Sequence, residues 1–181
     1  MPPLLLALLG SPRPQGACAQ MLRAFCAGAS NWKIKKINLF RLHIRPCLGC
    51  ESCQKSRICR HVDDMVELFR WLDQAQAVVL SAPVYFYGLP APTKAVVDRC
   101  HPLWHDPYWQ QRHRRPGFLL SACGRNLLSE FDILRRETIA FFNTIGCRLE
   151  GEVLLPGREN KDASKRLTAA IRKSRHLARR L

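Results

Sequence analysis

The chain alternates between two hydrophobic periods from end to end, and this alternation limits its folds more than any other feature. Leu4 to Leu9 is a continuous apolar run, the pattern of a short strand buried on both faces, and Gly10 ends it. Ala17 to Ala27 then carries Met21, Leu22 and Phe25 at helical spacing, and Lys33 to Phe40 reads as a second strand. Asp63 and Asp64 favour the first turn of a helix through its dipole, with Met65, Leu68, Phe69 and Leu72 as its apolar stripe. Ala77 to Ala82 is a third buried strand. Pro90 and Pro92 open a helix, where a missing N–H costs nothing, with Val96, Val97 and Cys100 on its apolar side. Phe118 to Ala122 is a fourth strand, Glu130 to Ile145 a helix stopped by Gly146, and Cys147 to Leu155 a fifth strand. A last helix carries Leu167, Ala170, Ile171, Leu177 and Leu181 along one stripe. Strand and helix in this order predict a parallel sheet covered on both faces by right-handed crossovers, a doubly wound α/β domain. A length of 181 residues fits one such domain and buries a core without disulfide or metal staples.

Ligands of doubly wound sheets bind beyond the carboxyl ends of the strands, where the strand order reverses, so chemistry is expected in the loops after strands one, three and four. The first loop, "GSPRPQGACAQ", offers converging backbone N–H groups and a helix N-terminus to a phosphate, with the Ser11 hydroxyl and the Arg13 fork beside them. An ordinary strand-to-helix turn has the same composition. The loop after strand three runs Pro83, Val84, Tyr85, Phe86, Tyr87, Gly88, aromatic where a polar loop is the norm. It suits a planar heterocycle whose edge needs hydrogen bonds, or else a piece of core.

Between strand two and the next helix, "CLGCESCQKSRICRHVDDM" brings Cys47, Cys50, Cys53 and Cys59 together as C-x-x-C-x-x-C-x5-C. Overlapping knuckles wrap one tetrahedral zinc ion poorly and suit the corners of an iron-sulfur cubane better. From His43 to Val62 no helix or strand is apparent, and connections of that length are functional or disordered more often than not. A cluster, a zinc ion and unliganded redox-active thiols are all open at this point. The chain has nine cysteines; Cys18, Cys26, Cys100, Cys123 and Cys147 stand alone and read as small buried hydrophobes.

The net charge of +15 favours anionic ligands, acidic proteins or nucleic acid, and residues 161–181 hold eight Lys or Arg against a single acid, Asp162. The basic helix could steer an acidic partner or be the soluble face of an edge helix. A rival reading makes the chain a non-catalytic basic nucleic-acid-binding domain, with aromatics between Trp104 and Trp109 stacking on bases. The same segment gathers His101, His105 and His113: a metal pair on a helix, a lid over the ligand, a subunit contact or a solvated loop. The six-residue apolar run near the start lacks a basic leader and is too short for a signal peptide or a span, so a cytoplasmic protein is expected.

Taken in order, "GSPRPQG", "CLGCESCQKSRICRHVDDM" and "SAPVYFYGLPAPTKAVVDR" resemble the NADPH-dependent FMN reductase and iron-sulfur flavoprotein branch of the flavodoxin-like superfamily. The resemblance covers nearly the whole chain. It implies a flavodoxin-like three-layer sandwich with a five-stranded parallel sheet in the order 2-1-3-4-5, a single domain over 1–181 with a Cys-rich insertion at about 43–62. It further implies non-covalent FMN at the strand ends, a homodimer or higher homo-oligomer with the flavin near the interface, and an FMN-dependent oxidoreductase. The electrons would come as hydride from NAD(P)H, or from an acidic ferredoxin-like donor, and where the four thiols hold a [4Fe–4S] cluster they would leave through it. By position, Ser11, Arg13, Gly16, Ala17 and Cys18 would surround the FMN phosphate, Pro83 to Gly88 would face the ring, and Cys123 and Gly124 would close its other side. Lys94, Asp98 and Arg99 are expected in structural salt bridges. The family commonly has Asn or Ser, then Thr, where this chain has Ala17 and Cys18. Each lost hydrogen bond costs about 0.5–1.5 kcal/mol, partly offset by Arg13 and the positive field, so weaker FMN binding is expected.

Overall fold

The computed structural model describes residues 1–112 and 115–181; His113 lies outside the described residues. Five parallel strands, β1 (Leu4–Leu9), β2 (Lys33–Asn38), β3 (Ala77–Pro83), β4 (Arg115–Ala122) and β5 (Cys147–Leu155), stand in the order β2-β1-β3-β4-β5. This is the flavodoxin-like order. The helices between them are α1 (Ala17–Gly28), α2 (Ser52–Ser56), α3 (Met65–Gln74), α4 (Ala91–Asp98), α5 (His101–Trp104), α6 (Pro107–Gln111), α7 (Asp132–Thr144) and α8 (Ala163–Leu177).

Alternate residues of the central strands supply two cores. Leu6, Leu8, Val78, Leu80 and Leu119 meet α3, α4 and α7 on one face, while Leu5, Ala7, Val79, Phe118 and Leu120 meet α1 and α8 on the other. Double burial accounts for the unbroken apolar runs in β1 and β3. The edge strand β2 keeps Lys33, Lys35 and Lys36 at least partly exposed, which discourages pairing with another sheet.

Several boundaries differ from the sequence pattern for identifiable reasons. β4 starts three residues before Phe118, because Arg115 is held by its guanidinium, which donates to Leu72 O at 2.7 Å, and hydrophobic periodicity does not register such an anchor. The helix expected from Glu130 begins as a 3-10 turn, Leu128–Phe131, and becomes α-helical at Asp132; Gly146, with φ of 68°, follows its end. The Cys-rich segment contains one short helix, α2, bracketed by Glu51 and Arg57, both at φ 57°.

The Phe118 ring lies under α1 with its centroid 5.0 Å from that of Phe25, and both are fully buried. Phe118→Ala is expected to cost about 3–5 kcal/mol, read as a lower urea midpoint with an unchanged slope. A loss below about 1 kcal/mol would mean that this core collapses around the gap.

Candidate functional site

Beyond the carboxyl ends of β1, β3 and β4 lies a cavity of about 350 Å³. The turn after β1 brings Ser11, Arg13, Gly16, Ala17 and Cys18 to it, the end of β3 brings Pro83, Val84 and Tyr85, and the end of β4 brings Cys123 and Gly124. The turn is tight: Gly16 N–H donates to Arg13 O at 3.0 Å, and a Cβ at Gly16 would stand 3.2 Å from that same oxygen. Ser81 of β3 ties down the first turn of α1 by donating its hydroxyl to Cys18 O at 2.9 Å. The Cys18 thiol itself is sunk in the core, and burial pushes its pKa up to about 12, so it presents a neutral sulfur rather than a charge.

Phe86, Tyr87 and Gly88 do not line this cavity. Tyr85 and Gly88 exchange backbone hydrogen bonds at 3.0 Å across a two-residue turn whose centre is Phe86 (φ 48°) and Tyr87 (φ 67°). Positive φ at both positions is the geometry that favours Asn-Gly, and two aromatic residues there cost about 1 kcal/mol or more each. The turn is held from behind, since Leu134 N–H donates to Tyr87 O at 3.0 Å and Leu89 N–H donates to Glu137 Oε2 at 2.7 Å. The strain leaves the Phe86 side chain fully in solvent. Tyr85, Tyr87, Leu127, Leu128 and Ile133, on the same loop and on the segment leading into α7, are also exposed apolar side chains.

Three residues of the cavity escaped the sequence reading, one of them Ala122 at the very end of β4. Arg158 and Glu159, in the loop after β5, complete its wall. The strand-end rule that selected the other loops applies here too, because β5 lies beside β4 and its carboxyl end reaches the same edge.

A second cavity, of about 470 Å³, is lined by all four loop cysteines together with Arg99, His101, Trp104 and His105. Soft thiol donors in this number suit zinc or an iron-sulfur group. Among the described residues no three His, Cys, Asp or Glu side chains are gathered closely enough to hold one ion; the thiols line the cavity without closing on a point. Burial pushes the Cys53 thiol up, and the neighbouring Cys59, Cys47 and Cys50 add to it, a mutual repulsion that a cationic centre would relieve. Hydrogen bonds from the Ser52 side chain and backbone pull Cys50 down. His61 Nε2 is buried in this loop without a hydrogen-bond partner among the described residues. The donor set and this orphaned nitrogen fit a metal group.

The cysteine loop is closed by Arg99 together with Asp63 and Asp64. Arg99, at the end of α4 and fully buried, donates from Nη1 to Asp63 Oδ2 at 2.7 Å and Arg45 O at 2.8 Å, and from Nη2 to Asp63 Oδ1 at 3.2 Å. Asp63 also accepts from Arg45 N–H and Met65 N–H, both at 3.1 Å, and Asp64 accepts from His43 N–H at 2.7 Å. The two acids expected to serve the helix dipole thus staple the start of the loop to its end. Lys94 and Asp98 pair at 2.5 Å along α4, as expected of a structural bridge.

Among the described residues, none of the segment after α4 lines the carboxyl-edge cavity. Trp109 is buried beneath the Arg112 guanidinium, 4.8 Å from its ring, whereas Tyr108, whose hydroxyl donates to Asp73 at 3.0 Å, and Trp104 are exposed. His101 and His105 stand with ring centroids 6.3 Å apart beside the cysteine cavity. The distal end of the basic helix α8 lies against the last residue of α1, where a Cβ on Gly28 would meet Arg175 O. That is the far end of α1 from the cavity, so a partner docked on Arg179 and Arg180 would sit away from it.

Burial opposes the charge on Asp63, but the bonds from Arg99, Arg45 and Met65 overcome it and hold the carboxyl at about 2, against an ordinary 3.8. With the folded pKa depressed, the pair's contribution is full above about pH 4 and is lost as pH falls through about 2. Arg99→Met should cost about 3–5 kcal/mol at neutral pH by leaving Asp63 buried and unpaired. The stability gap between wild type and Asp63→Asn in urea unfolding should shrink as pH falls from about 4 toward 2, and a gap constant over that range would contradict the ion pair.

Comparisons with known proteins place the chain by family and by fold. Residues 3–148 match the family model described as NADPH-dependent FMN reductase. An iron-sulfur flavoprotein of Archaeoglobus fulgidus is 35% identical over 104 residues, covering 56% of this chain and 47% of that protein. Another, of Methanocaldococcus jannaschii, is 32% identical over 123 residues, covering 67% of this chain and 63% of that protein. The chain thus spans about half to three-fifths of the length of these relatives. In fold it is similar to an FMN-dependent NADH-azoreductase of Bacillus anthracis, solved in complex with FMN, with a TM-score of 0.76 at 14% identity over 99% of both chains. An NAD(P)H:quinone oxidoreductase of Methanothermobacter marburgensis superposes with a TM-score of 0.72 at 18% identity, covering 96% of this chain and 95% of that one. By the family match over most of its length, the chain belongs to the NADPH-dependent FMN reductase family.

Proposed function

We propose that the chain is an FMN-dependent oxidoreductase whose carboxyl-edge cavity holds the flavin and whose cysteine loop holds a [4Fe–4S] cluster. The observation that carries the reading is the meeting of three loops from distant parts of the sequence, all singled out by the strand-end rule, around one cavity. Bound FMN would supply the redox chemistry, accepting hydride from NAD(P)H or electrons from an acidic ferredoxin-like donor. The protein's own part is positioning.

At one end of the cavity, Arg13 and the N-terminus of α1 offer cationic and N–H donors to a phosphate, while Gly16 keeps the turn narrow. Pro83, Val84 and Tyr85 form one wall for a planar ring, and Cys123 and Gly124 the opposite one. The wall of Pro83, Val84 and Tyr85 carries no charged group, which suits exclusion of water from that side of a reacting ring. The exposed Phe86 and the apolar side chains around it favour a second copy of the chain covering the cavity mouth. Cys47, Cys50, Cys53 and Cys59 would hold the cluster, which supplies one-electron chemistry.

Anaerobic purification followed by a visible spectrum and by iron and sulfide analysis tests both parts. The expected protein has flavin absorbance that bleaches with NAD(P)H or reduced ferredoxin, and about four iron atoms per chain. Cys50→Ser should lose the iron and keep the flavin. A colourless protein with no affinity for FMN would overturn the oxidoreductase reading, and unchanged iron in the variant would reject the ligand set.

A further inference from the structure

The family match ends at residue 148, yet the loop from β5 into α8 delivers Arg158 to the carboxyl-edge cavity. We propose that Arg158 and Arg13 together form a cationic subsite that binds the phosphate of FMN and takes over from the hydroxyl donors missing at Ala17 and Cys18. The proposal rests on the flavin reading above and assigns the recognition of its phosphate.

The backbone fixes Arg158 where it is needed. Its N–H donates to Cys123 O at 3.1 Å, while Gly157 N–H donates to Arg125 O at 2.9 Å and Glu159 N–H to Gly124 O at 3.3 Å. Three consecutive bonds thus fasten the loop to the end of β4, and Gly157, at φ 76°, makes the reversal that allows this. One arm of the guanidinium is also placed, with Nη1 donating to Ala163 O at 2.9 Å in the first turn of α8. Among the described residues that is the side chain's one hydrogen bond, which leaves the rest of the fork for a ligand.

Its charge reaches the turn after β1. Arg158 works against the burial that raises the Cys18 thiol, and Cys18 stands in the first turn of α1, where a phosphate would meet the helix. The acid in the same loop, Glu159, also lines the cavity, its carboxylate lying against Gly124 at the β4 end. Positive charge therefore lies toward the helix N-terminus and negative charge toward the β4 loop. At the helix end side-chain donors are few: Ala17 has none and the Cys18 thiol is buried, while the Ser11 hydroxyl, whose oxygen accepts from Arg13 N–H at 3.3 Å, keeps one proton to donate. Forked guanidinium groups, half-buried at Arg158 and exposed at Arg13, match a phosphate dianion better than a neutral polyol or ring.

Riboflavin has the same ring and chain as FMN without the phosphate, so the pair isolates the subsite. Binding of each to the apoprotein is measured by quenching of flavin fluorescence. Arg158→Gln should weaken FMN about ten- to a hundredfold, the loss of a charge-assisted hydrogen bond, and leave riboflavin within about twofold. Arg158→Lys should retain most of the preference for FMN. On the wild-type protein, inorganic phosphate should compete with FMN and not with riboflavin, a readout that needs no variant to fold. Wild-type binding that does not distinguish FMN from riboflavin, or an Arg158→Gln variant that keeps the wild-type ratio of the two affinities, would overturn the subsite while leaving the flavin reading standing. Wild-type protein that binds neither flavin would overturn the flavin reading itself.

Discussion

Burial of the sheet on both faces is the constraint from which the rest follows. β1, β3 and β4 run through the middle with their side chains almost wholly enclosed, which leaves no room on either face for polar chemistry. Ligand-binding groups are confined to the loops, and right-handed crossovers bring the N-termini of the crossover helices to the carboxyl edge. The reversal of strand order around β1 and β3 separates the first turn from the loop after β3, and the cavity opens there.

A different force governs the cysteine loop. Its long irregular course has almost no apolar anchor, and a buried guanidinium holds its two ends together. Arg99 lies at the end of α4, whose other end follows directly from the loop that walls the carboxyl-edge cavity. The two cavities share no lining residue, but α4, about 12 Å long at 1.5 Å per residue, joins them mechanically. A proposed flavin at one end and a proposed cluster at the other would be tied to one rigid element.

The sheet was legible because its signals are local. Continuous apolar runs mark the doubly buried strands, and Pro90, Pro92 and Gly146 punctuate the helices as their backbone chemistry requires. What escaped depends on tertiary position. Arg115 begins a strand through its guanidinium, and Asp63 looked like a dipole partner because its real partner is 36 residues away. Among site residues, Tyr85 reaches the cavity and Phe86 does not, because positive φ at the turn sends the aromatic outward. No periodicity encodes that reversal. Arg158 was missed because the strand-end rule was applied to three loops, although β5 ends at the same edge.

The account stands on a flavin lying across the carboxyl edge, and hydrogen–deuterium exchange of the backbone amides with and without FMN tests this most directly. Protection is expected in residues 13–18, 84–85, 123–124 and 158–159 together, with little change in 47–59. Protection confined to the cysteine loop, or none at any of these strand-end loops under saturating FMN, would contradict it.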